Sequence, residues 1–61
     1  MMYIIKAYED EQCFEYEYGL IDHAKEHLDN ETCYAELFAY QSGREILIET
    51  NLRIRKTHGE E

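Results

Sequence analysis

Sixty-one residues make one domain at most, and a chain of this length hides only about 60% of the surface its unfolded form exposes. Few apolar side chains are left to wall an active-site cleft, so an enzyme is not expected. The net charge of −8 repels phosphate backbones and anionic lipid headgroups, which argues against direct binding of nucleic acid or membrane.

Tyr3-Ile4-Ile5-Lys6-Ala7-Tyr8 is β-branched and aromatic enough to predict a strand, with Glu9-Asp10-Glu11-Gln12 as the solvated turn after it. In Cys13-Phe14-Glu15-Tyr16-Glu17-Tyr18 the aromatics alternate with glutamates, the period of a strand with one wet face. Gly19 breaks that pattern. Leu20, Ile21, Ala24 and Leu28 then fall on one side of a helix and Asp22, Glu26 and Asp29 on the other, which predicts a helix from about Leu20 to Asp29. Asp22 suits the first turn, and Asn30 is expected to end the helix in a left-handed conformation. Thr32 to Tyr40 alternates again, Gln41-Ser42-Gly43-Arg44 supplies a hairpin turn, and Glu45 to Thr50 returns, with an alternation that persists through Leu52 and Ile54.

The order strand, strand, helix, strand, strand predicts an α+β fold of two layers: a four-stranded antiparallel sheet with one helix on one face and the other face open. Residues 1–56 form the single expected domain, and 57–61 read as a frayed polar tail. The N-terminus lacks the features of a signal peptide, and no apolar run is long enough to span a bilayer. The expected location is therefore the cytoplasm, with Cys13 and Cys33 as free thiols.

Tyr34, Glu36, Phe38 and Tyr40 share one face of the third strand, and turning it toward the helix would bury a carboxylate at high cost. The other face, Cys33, Ala35, Leu37 and Ala39, is small enough for a helix to lie close. It is therefore set with Tyr3, Ile5, Phe14, Tyr16, Ile46 and Ile48 against Leu20, Ile21, Ala24 and Leu28. The open face then carries Tyr34, Phe38, Tyr40, Tyr8, Ile4 and Leu47, interleaved with Glu15, Glu17, Glu36, Glu45 and Glu49.

Aromatic side chains on an open sheet also occur in RNA-binding modules, but those surfaces pair aromatics with lysine and arginine. Here glutamate takes those places. Residues 1–52 hold twelve acidic and three basic side chains, a sum of −9, whereas 53–61 hold three basic and two acidic, a sum of +1. The expected partner is a basic protein, such as a nucleic-acid-processing enzyme whose groove normally holds DNA or RNA. In size and charge, though in no motif, the chain resembles the small acidic inhibitors of phages and mobile elements, the anti-restriction and anti-CRISPR proteins. That resemblance implies an inhibitor that mimics nucleic-acid charge. The plainer reading sits beside it: outward glutamates solvate a sheet and outward tyrosines shield it.

A second expectation, of a different class, is a small homodimer in which open faces or final strands pair. A third is a metal site. His23 and His27 lie four apart on the helix and can reach one ion, although the cysteines fall on opposite sides of the sheet and no metalloprotease pattern is present. No cofactor is implied, since the glycines form no phosphate-binding loop and Ser42 sits in a turn without a nucleophile motif.

Overall fold

The structure, a computed structural model, describes residues 1–52. The elements run β1 (Met2–Glu9), β2 (Gln12–Tyr18), α1 (Ile21–Asn30), β3 (Tyr34–Gln41) and β4 (Arg44–Thr50). They form the expected two-layer α+β arrangement, a four-stranded antiparallel sheet in the order β2-β1-β3-β4. Because β2 and β3 both run antiparallel to β1 from opposite sides, α1 carries the chain across β1 from one side to the other. The tail boundary expected at 57–61, and Ile54, lie outside the described residues. Among those described, no helix is long and apolar enough to cross a membrane.

β1 is an inner strand, and its apolar run serves both layers. Ile5 and Ala7 join Ala24, Leu28, Ala35 and Leu37 in the core beneath the helix. Ile4 faces the other way and is also buried, hidden by its neighbours on the open face. Removing side chains as large as Ile5, Leu28 and Leu37 fully from water stabilises the fold by about 1.5–3 kcal/mol each. Alanine at 7, 24 and 35 lets helix and sheet approach closely.

Both hairpins have two-residue turns closed by Glu9 with Gln12 and by Gln41 with Arg44. All four turn residues have positive φ: Asp10 at 52°, Glu11 at 67°, Ser42 at 55° and Gly43 at 77°. That is the backbone which matches the twist of the flanking strands. Only Gly43 adopts it without steric cost, so the first hairpin carries backbone strain at Glu11.

The helix begins after Leu20, one residue later than expected, and ends differently. Asn30 stays helical, and the chain leaves through Glu31 in extended conformation, its N–H bonded to the carbonyl of Leu28. A left-handed residue is not needed, because the Glu31 carboxylate is anchored by His27 and Cys33. Leu20 is 59% exposed and lies outside the core in which it was expected.

α1 packs against β1, β3 and β2. The apolar side chains expected beneath it at the sheet margins are therefore only partly covered: Phe14 and Tyr16 on β2, Ile46 and Ile48 on β4. β4 also departs from simple alternation. Phe38 is opposite Leu47 but Leu37 is opposite Glu49, so a bulge absorbs Ile48. After the bulge, the strand stops at Thr50 instead of running through Leu52. Asn51, 2% exposed, takes over the pairing with β3: its side-chain Oδ1 accepts from the N–H of Ala35 at 3.1 Å, and its Nδ2 donates to the carbonyl of Cys33 at 2.7 Å.

Candidate protein-binding face

The open face is a grid of rows running across the strands. Opposed residues give Glu17, Ile4, Phe38 and Leu47 in one row, and Glu15, Lys6, Glu36 and Thr50 in the next. Met2, Tyr40 and Glu45 flank the first row, and Cys13, Tyr8 and Tyr34 flank the second. Seven of the eight expected site residues therefore share this face: Glu15 and Glu17 on β2, Tyr34, Glu36, Phe38 and Tyr40 on β3, and Glu45 on β4. Glu49 does not. The bulge at Ile48 shifts it onto the register of Leu37, the helix side, and puts Thr50 in the place that strict alternation gave it.

Two tyrosines of this face are arranged around a carboxylate. Tyr8 and Tyr34 stack with ring centres 5.8 Å apart, and both hydroxyls donate to Glu36, at 3.0 and 2.8 Å. Removal from water, reinforced by the Glu36 carboxylate, pushes the Tyr8 phenol up to about 12. The bond to Glu36, then burial, raises Tyr34. Both phenols thus remain protonated donors at neutral pH, and the carboxylate is held rigidly between two aromatic edges.

Lys6 supplies the one positive charge on the face among the described residues. Its ammonium lies 2.7 Å from Glu45 and 4.9 Å from the centre of the Phe38 ring, and the bond to Glu45 raises its pKa. Four carboxylates against one ammonium leave the face net negative, with Glu15 and Glu17 exposed along β2. Lys6 was not among the expected site residues; its alternation with Ile4 and Tyr8 was the signal that places it here.

The helix side carries a separate polar chain. Tyr18 hydrogen-bonds His27 through Nδ1, His27 Nε2 meets Glu31 at 2.7 Å, and the Cys33 thiol donates to Glu31 at 3.7 Å. The Tyr16 ring lies 4.6 Å from the imidazole. Both ring nitrogens of His27 are thus engaged, so a metal would have to displace Tyr18 or Glu31; His23 and His27 line one open depression with Tyr18, Glu26 and Asn30. Among the described residues, no three His, Cys, Asp or Glu side chains are placed to hold a metal ion. Burial, then the Glu31 charge, raises the Cys33 thiol, which keeps it in the protonated, weakly nucleophilic form. Glu31 lies just past the end of the helix, so helical spacing was no signal for this pair.

Comparisons with protein-family models, with curated proteins and with solved structures find no match to this chain.

Proposed function

We propose that this chain is a non-enzymatic protein-binding module whose open sheet face receives a basic surface on another protein. The observation that carries the reading is the way the face already holds a cation. Lys6 sits with its ammonium on the Glu45 carboxylate and beside the Phe38 ring, a combination of charge and aromatic contact that would serve a partner's lysine or arginine equally well. The Tyr8–Glu36–Tyr34 arrangement offers a second fixed carboxylate between aromatic edges. Glu15 and Glu17 line the β2 margin, where exposed charge accelerates encounter.

A surface of fixed carboxylates competes with phosphates for the same side chains, so the partners favoured by its chemistry are proteins that bind nucleic acid. Inhibition of such an enzyme by occupation of its basic groove is the sharper form of the proposal. The test is kinetic, with an immobilised arginine-rich peptide as probe. A folded Glu15→Lys, Glu17→Lys variant is expected to associate more slowly, Phe38→Ala to dissociate faster, and duplex DNA to compete for the peptide without binding the chain. Parent-like kinetics in both folded variants would remove the open face as the interface.

A further inference from the structure

The two outer strands of the sheet are treated differently by the sequence. β2 sets Glu15 and Glu17 between its aromatics, charges that discourage another strand from pairing there. β4 instead runs Ile46-Leu47-Ile48 without a charge, exposed at 55%, 52% and 39%. It is the last strand in the sheet order, so the backbone groups of its outer edge have no neighbouring strand among the described residues. An apolar outer strand of this kind is a template for pairing.

We propose that the strand which pairs with it is β4 of a second copy of the chain, antiparallel about a two-fold axis at Ile46. The bulge makes β4 self-complementary in this register. Ile48 has no partner of its own in the ladder, so with Ile46 opposite its own copy, Glu45 falls opposite Leu47, and Arg44 falls opposite Glu49 of the second copy. Arg44, Ile46 and Glu49 all belong to the helix-side register, since they oppose Gln41, Ala39 and Leu37. The symmetry therefore creates two Arg44–Glu49 contacts flanking a central Ile46 pair. An axis one residue earlier sets Glu45 against its own copy, and one residue later sets the two bulges against each other.

The two-fold axis is perpendicular to the sheet, which becomes continuous over eight strands and presents both open faces on the same side. The pairing goes beyond the proposed function and does not depend on it, because Ile46 lies on the opposite side of the sheet from Glu36 and Phe38. Sedimentation equilibrium of the full chain tests it. The parent is expected at twice its 7.4 kDa mass at tens of micromolar. Ile46→Lys, which sets two ammonium groups together on the axis, is expected to raise the dissociation constant on the order of a hundredfold or more with an unchanged circular dichroism spectrum. Arg44→Glu is expected to weaken the dimer, and adding Glu49→Arg to restore it. A parent that stays monomeric, including one that pairs only with a strand of another protein, would overturn the proposal. So would a dimer that survives Ile46→Lys or is lost instead in Phe38→Ala. A folded charge-swapped double variant that fails to recover would overturn the register. Peptide binding retained by monomeric Ile46→Lys separates failure here from failure of the open-face reading.

Discussion

Lys6 on β1 reaches over β3 to Glu45 on β4, spanning three strands with a single 2.7 Å ion pair. Its register neighbours on the adjacent strands are Glu15 and Glu36, and Glu36 accepts hydrogen bonds from two tyrosines. With Glu45 partly exposed, the pair is a surface interaction. A double-mutant cycle of Lys6→Met and Glu45→Gln is expected to give a coupling of about 0.5–1 kcal/mol at low salt. It should fall toward zero at about 1 M salt, where the screening length is near 3 Å.

The Tyr8–Glu36–Tyr34 arrangement predicts an alkaline limit to stability. Burial and the Glu36 carboxylate push the Tyr8 phenol up to about 12 in the folded chain, from 10.0 for an unperturbed phenol. Its folded pKa is raised, so its contribution is complete below pH 10 and is lost as pH rises toward 12. Tyr34 shifts in the same direction. Urea denaturation at stepped alkaline pH should show this loss, and Tyr8→Phe should make it smaller. Phenolate absorbance should assign one late titration to Tyr8.

Asn51 is a structural residue where the sequence suggested continued strand. Asn51→Ala leaves the Ala35 N–H and the Cys33 carbonyl without their side-chain partner, and a buried polar group left unpaired costs about 1–3 kcal/mol. For a chain this small that is a large fraction of its stability. Urea denaturation should show a lower midpoint with an unchanged slope.

Leu28 and Leu37, both fully buried, should each cost about 2–5 kcal/mol as alanine variants. The comparison that gives this meaning is Leu20→Ala, at a 59% exposed position where sequence periodicity placed a core residue. Its effect should stay within about 0.5 kcal/mol, because Leu20 is exposed and precedes the first helical residue.

Alternation and a change of period made the element order legible, because Glu15, Glu17 and Glu36 can only face water while Ala35 and Leu37 suit a close helix. The same reasoning separated Cys13 from Cys33, which are exposed and half-buried respectively. Periodicity could not reveal the bulge at Ile48, since an inserted residue in an apolar run leaves the pattern looking unbroken. That is why Glu49 was placed on the wrong face. Nor does a strand pattern reveal how wide a helix is: ten residues over four strands leave β4 bare, which is visible only once the strand order is known. Asn51 reads as an ordinary polar residue until its side chain is seen replacing a strand's backbone.

The open face is proposed to receive basic side chains. This is tested most directly by titrating isotope-labelled chain with an arginine-rich peptide at low salt and following every backbone amide by NMR. Shifts are expected on Glu15, Glu17, Phe38, Tyr40 and Glu45, reversed by added salt because exposed carboxylates act over a Debye length of about 8 Å at physiological ionic strength. Shifts centred instead on the helix stripe of Asp22, Glu26 and Asp29, or spread evenly over the molecule, would contradict it.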